Sequence, residues 1–220
     1  AVMLLVGDEA GFVKRLRWVG AHGDQPEALE VCEKWRSSKS CVDKLWMEGN
    51  GRVLVANRDG RLQWRSAVDG GSLGDSCTYA ADCVGLEKLW LELRGLPGGD
   101  VVSVQSGKGC VRVHRRQSAE STTEFVTSKA AEVRAATLCE GSKAVAVGGD
   151  GLDVAVWDIE SRAVTFKAKR VKNDNPYAVI RPLSISAISP VEHLGSTSPA
   201  SCLASGTRDG RIFLFDAGTS

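Results

Sequence analysis

Apolar and polar residues alternate over short runs along most of this chain, and the runs come in pairs. The pairs read LLVGDEAGFVKRL (Leu4–Leu16), VLVANRDGRLQW (Val53–Trp64), VSVQSGKGCVRV (Val102–Val113), VAVGGDGLDVAVWD (Val145–Asp158) and CLASGTRDGRIFLFD (Cys202–Asp216). A period of two marks a strand with one face turned inward, a turn of small and polar residues interrupts it, and the alternation resumes. This predicts five β-hairpins. In the turns, glycine accepts positive φ without a Cβ clash, and a preceding aspartate accepts backbone N–H groups that the turn leaves open. Asp59, Gly60, Asp150, Asp209 and Gly210 are therefore expected to be structural turn residues, although three of them are carboxylates.

Taking Gly11, Gly60, Gly109, Leu152 and Gly210 as equivalent, the copies lie 49, 49, 43 and 58 residues apart. Upstream of the later hairpins a further β-rich stretch recurs, at Val42–Met47, Leu89–Leu93, Val133–Leu138 and Leu183–Ile188, and a weaker one follows at Phe125–Thr127 and Ala163–Lys167. A lone antiparallel sheet of this kind would expose its apolar faces, whereas stacking several radially buries them between neighbours. The prediction is an all-β propeller, one domain over residues 1–220, with blade cores near 1–19, 41–65, 84–116, 131–168 and 183–216. Five copies fall short of the usual ring of seven, so a partial ring lacking about two blades is expected.

Composition fits one globular core, at 43% hydrophobic and 25% charged residues. Twenty-eight Lys and Arg stand against 27 Asp and Glu, so attraction to nucleic acid has to come from local patches. Ala1–Val6 is too short an apolar run for a membrane span or a signal core. Seven cysteines without a C-x-x-C pair argue against a disulfide framework or a zinc ribbon. His22, His114 and His193 lie far apart with no ligand-spaced partners, and neither glycine-rich stretch makes a phosphate loop. No metal, cofactor, small-molecule substrate or catalytic set is expected, and the chain is read as non-enzymatic.

The last copy, Ser205-Gly206-Thr207-Arg208-Asp209-Gly210-Arg211-Ile212-Phe213-Leu214-Phe215-Asp216, resembles the WD-repeat ending S-G-[ST]-x-D-G-x-[IV]-x-[ILV]-[WF]-D, and Trp157-Asp158 supplies the eponymous dipeptide. No Gly-His dipeptide precedes any copy, so the blades are degenerate. Two stretches resemble a narrower family. Gly148–Glu160 (GGDGLDVAVWDIE), continued by Phe166–Asp174 (FKAKRVKND), and Leu5–Lys14 (LVGDEAGFVK) are similar to signatures of nucleolar WD-repeat factors of large-ribosomal-subunit assembly. Arg170 stands where that family usually has Asn, and Asn175-Pro176-Tyr177 replaces an acidic, leucine-rich stretch.

The resemblance implies a scaffold of the nucleolus, within the nucleus, that joins large-subunit precursors with other assembly factors and is released by an AAA-type ATPase. On that reading Lys167, Lys169, Arg170, Lys172, Asn173 and Asp174 are candidate contacts for rRNA phosphates or a protein partner. A solvated basic loop is the competing account of the same residues. Arg112, Arg115 and Arg116 after the third copy, and Lys14, Arg15 and Arg17 after the first, are weaker candidates. A WD-repeat adaptor for signalling, trafficking or ubiquitin ligation is the alternative function.

Overall fold

The computed structural model describes residues 3–20, 28–78, 89–96, 100–107, 110–114, 122–126, 132–139, 143–168, 184–191 and 202–216. These residues form eighteen strands in five antiparallel sheets. The first sheet is β1 (Met3–Gly7), β2 (Phe12–Val19) and β3 (Ala28–Arg36), and the second is β4 (Val42–Met47), β5 (Arg52–Asn57), β6 (Arg61–Ser66) and β7 (Ser72–Thr78). The third is β8 (Trp90–Gly95), β9 (Val101–Gln105), β10 (Cys110–His114) and β11 (Thr122–Val126), and the fourth is β12 (Glu132–Cys139), β13 (Ala144–Asp150), β14 (Leu152–Asp158) and β15 (Val164–Lys167). The fifth is β16 (Ile185–Val191), β17 (Cys202–Thr207) and β18 (Ile212–Asp216). Within every sheet the strands lie in chain order, as up-and-down propeller blades do. The chain divides into two compact units, Ala1–Gly95 and Leu96–Ser220.

All five expected hairpins form: β1–β2, β5–β6, β9–β10, β13–β14 and β17–β18. The turn glycines Gly11, Gly60 and Gly210 have φ of 83°, 85° and 84°. The fourth copy departs from the expected equivalence. Its positive-φ residue is Gly151, and Gly149 pairs with Leu152, so Asp150-Gly151 alone make the bend and Leu152 already belongs to the strand. In the third copy the described positive-φ glycine is Gly107. Outer strands β3, β7 and β11 extend the first three blades past their predicted cores. Residues Ala28–Lys34 of β3 are all exposed, so the strand lacks the burial pattern by which inner strands announce themselves.

Burial concentrates on the middle strands. Val53, Val55 and Ala56 on β5, Val102 and Val104 on β9, and Val145, Ala146 and Val147 on β13 are all fully buried. Successive side chains point to opposite faces of a sheet, so both faces of β5 and β13 are covered. In the first unit Val13 and Trp35 from one blade meet Val42, Val53 and Val55 of the next. In the second, Ala146, Val154 and Val156 meet Ile185 and Leu203. Tryptophans fill this space: Trp46 and Trp64 pack edge to face at 5.8 Å, and buried Trp90 donates its indole N–H to the Asn57 carbonyl at 2.9 Å.

Backbone and side-chain hydrogen bonds lace successive blades at a repeated place, where the strand before the hairpin turn of one blade ends and the inner strand of the next begins. Val42 N–H donates to the Asp8 carbonyl at 3.0 Å, Gly107 and Val133 exchange two bonds at 3.2 and 2.8 Å, and Asp150 forms a β-bridge with Ser184 while accepting from its hydroxyl. Asp43 and Arg58 add an ion pair at 2.7 Å in the second blade, with the carboxylate side chain only 4% exposed. Removing the guanidinium would strand that carboxylate in a low-dielectric setting. Arg58→Ala is expected to lower stability by about 2 kcal/mol, read as a reduced urea midpoint. An unshifted midpoint would mean the pair contributes nothing net.

Candidate interaction surface

The first two blades carry a basic cleft assembled from three separated stretches. Arg36 ends β3, Ser37, Ser38 and Lys39 lie in the connector to β4, and Asp59 and Arg61 flank the turn glycine before β6; together they line an open cleft of about 450 Å³. Buried Asn57 holds the connector in place. Its amide nitrogen donates to Ser37 Oγ at 2.9 Å and to the Ser40 carbonyl at 3.3 Å, and Ser37 Oγ reaches the Gly11 carbonyl at 3.2 Å. The cleft floor is therefore fixed by saturated polar contacts rather than by loop chance.

Its rim is positive. Arg36, Lys39 and Arg61 face a single carboxylate, Asp59, whose distance to Arg61 Nε is 3.7 Å. Arg36 also donates through Nε to the Ser38 carbonyl at 3.0 Å. Beside it Lys34 Nζ sits 4.0 Å over the Phe12 ring, with the Arg36 guanidinium 5.2 Å from the same centroid. Such a cluster suits an anionic group, a phosphate or a carboxylate, presented from solvent.

The residues singled out from the sequence are placed unevenly. Lys167 closes β15, the outermost strand of the fourth blade, and is exposed. Lys169, Arg170, Lys172, Asn173 and Asp174, like Arg115 and Arg116, lie outside the described residues. Arg112 is buried, 8% exposed, and donates to Gln105 Oε1 at 2.7 Å. It is a correction to the expected basic surface: this guanidinium supports the blade interior and does not face phosphates. Lys14 is paired with Asp8 at 3.1 Å and Arg17 with Glu30 at 3.2 Å, so two of the three basic residues after the first copy already have carboxylate partners.

The turn aspartates hold local structure. Asp59 accepts the Arg61 N–H at 3.2 Å; Asp150 binds Ser184 and takes Arg134 Nε at 2.9 Å. Asp209 binds Arg211 and Thr207, and those bonds, that from Arg211 foremost, pull its carboxyl down to about 2. His114 is buried with Nε2 3.0 Å from Ser103 Oγ, and burial followed by the Arg112 charge pulls its pKa down to about 3. It is neutral at pH 7. Burial, and then the Asp43 carboxylate, pushes the Cys41 thiol up, away from thiolate chemistry. Among the described residues no group of three His, Cys, Asp or Glu is arranged to hold a metal ion.

Sequence reasoning missed the cleft because its members are scattered. The signal present was Arg36-Ser37-Ser38-Lys39, a basic, serine-rich connector well upstream of the Asp59-Gly60-Arg61 turn.

The sequence matches no protein-family model and no curated protein. Among solved structures it is similar to a chain in the crystal structure of the mitotic checkpoint complex, with a TM-score of 0.62 and 15% identity, over 98% of this chain and 58% of that one. The chain thus spans less than two thirds of that neighbour's length, and at this identity the likeness is one of fold. Five antiparallel sheets, turn glycines and the structural neighbour agree: the chain has the blade structure of a β-propeller.

Proposed function

We propose that this chain is a non-catalytic scaffold in the assembly of the large ribosomal subunit. In this reading it binds other assembly factors in nucleolar precursor particles, touches rRNA, and leaves through the action of an AAA-type ATPase. The observation that carries the reading is the paired resemblance at Leu5–Lys14 and Gly148–Asp174. Exposed Lys167 and the basic cleft of Arg36, Lys39 and Arg61 support it by offering surface for phosphates.

Affinity purification tests the assignment. Co-recovery of precursor rRNA and large-subunit assembly factors is expected, while recovery with a cullin adaptor or a coat complex instead would move the protein to the generic adaptor class. Alanine at Lys167, Lys169, Arg170 and Lys172 is expected to weaken particle association without unfolding the domain. In vitro, replacing Arg36, Lys39 and Arg61 by alanine should weaken binding of a fluorescent single-stranded RNA and flatten its dependence on salt, by a log–log slope of about 0.7 for each phosphate that is no longer neutralised. An unchanged slope would assign the cleft to something other than nucleic acid.

A further inference from the structure

Asn50 differs from the other asparagines of the chain. It precedes glycine, whereas Asn57, Asn173 and Asn175 precede arginine, aspartate and proline. It lies in the turn between β4 and β5, where both Asn50 and Gly51 are exposed. A side chain restricts φ and ψ and crowds the backbone nitrogen, and glycine does neither. Gly51 has φ of 78°, and a Cβ built there would meet nothing within 4 Å. The nitrogen that follows Asn50 is thus unshielded, with room to rotate.

The turn also orients the side-chain amide. Asn50 Oδ1 accepts the Arg52 N–H at 3.2 Å, a bond that folds the side chain over its own backbone and draws Cγ toward the Gly51 nitrogen. If that nitrogen attacked, negative charge would gather on Oδ1, and the Arg52 N–H already points there as an oxyanion donor does. The nucleophile itself is loosely held. Gly51 N–H reaches the Glu48 carbonyl at 3.3 Å, while Glu48 N–H to the Arg52 carbonyl and Ala67 N–H to the Gly51 carbonyl are both 2.9 Å.

Other amides and carboxyls lack this combination. Asn57 is fully buried, and its amide nitrogen is engaged with Ser37 and Ser40. Asp69, Asp150 and Asp209 also precede glycine. Hydrogen bonds, foremost those with Ser66, Ser184 and Arg211, hold their carboxyls below the usual carboxylate range. An ionised carboxylate is a poor target for a nucleophile.

We propose that Asn50-Gly51 is a site of spontaneous modification, at which the folded chain converts asparagine to isoaspartate and aspartate. Hydroxide takes the Gly51 N–H proton and the nitrogen bonds to Asn50 Cγ. The side-chain nitrogen takes a proton from water and departs as ammonia, leaving a cyclic imide. Water then opens the ring. Attack at the backbone carbonyl leaves an isoaspartyl link, longer by a methylene in the main chain, and attack at the side-chain carbonyl leaves aspartate. Either product adds a negative charge two residues from Glu48, and the isoaspartyl form also displaces the Gly51 carbonyl that receives the Ala67 N–H. The inference is independent of the ribosomal reading.

Peptide mapping by mass spectrometry tests it on the 220-residue chain, incubated at mildly alkaline pH with and without urea. Without urea, the Asn50 peptide is expected to gain the mass difference between an amide and a carboxyl and to split into two chromatographic forms. Conversion should quicken as pH rises, and the Asn57 peptide should stay unchanged. Gly51→Ala should abolish the conversion, because a Cβ hinders both the attack and the rotation that precedes it. An Asn50 peptide that stays intact in the folded chain, whether or not it converts in urea, would overturn the proposal. Conversion of the Gly51→Ala chain at the wild-type rate would overturn it as well.

Discussion

Gly11→Ala is expected to destabilise the protein by about 3 kcal/mol or more and to displace the basic cleft. Gly11 has φ of 83°, a conformation that costs an L side chain roughly 1–2 kcal/mol by itself. Its added Cβ would also lie 2.6 Å from the Ser40 carbonyl oxygen and closer still to that of Ser38. Both atoms are backbone, in the connector that carries Lys39, so neither can swing aside as a flexible side chain would. Gly51→Ala separates the two effects. Gly51 has a φ of 78° with nothing within 4 Å of its Cβ position, so its substitution should cost only the backbone term, about 1 kcal/mol. Equal losses in urea unfolding would show that the close approach to the connector is immaterial.

Acid should weaken the second unit through His114. In the fold this imidazole has a pKa of about 3, because burial and the neighbouring Arg112 disfavour its cation, whereas in the unfolded chain it titrates near 6.5. Between those values the unfolded state binds a proton that the native state refuses. The stability contributed by neutral His114 is therefore complete above about pH 6.5 and is lost as pH falls toward 3, by about 1.4 kcal/mol per pH unit. Between about pH 6.5 and 4 the loss reaches about 3 kcal/mol. His114→Gln removes the titrating group while keeping a polar atom for Ser103 Oγ. Urea titration of both proteins from neutral pH downward should show a decline on the acid side that is shallower for the variant by that amount. Parallel pH profiles for the two proteins would rule out His114 as the source.

The hairpins were legible in the sequence because their causes are local. Alternation at Val53, Val55, Leu62 and Trp64, and a glycine where the turn needs positive φ, lie within a dozen residues. Strands β3 and β7 were not legible as part of their blades. β3 is exposed over most of its length and β7 reads SLGDSCT, so neither carries the alternation that a half-buried strand shows. Arg112 shows the opposite failure. Its alternation with Val111 and Val113 suggested a solvent face, but a middle strand of a stacked sheet has no such face, and the guanidinium is turned inward to Gln105. The cleft depends on Asn57 drawing the 37–41 connector against the turn at Gly11, a contact between distant segments that no local pattern encodes.

The links at Asp8, Gly107 and Asp150 act as pins that set where the inner strands β4, β12 and β16 start, whatever path the chain takes to reach them. Connector length is then free of blade register: residues 37–41 separate β3 from β4, whereas residues 168–184 separate β15 from β16. Segment 168–184 contains Lys169, Arg170 and Lys172. Insertions can accumulate there, and new charge with them, while the pinned strands keep the blades in step.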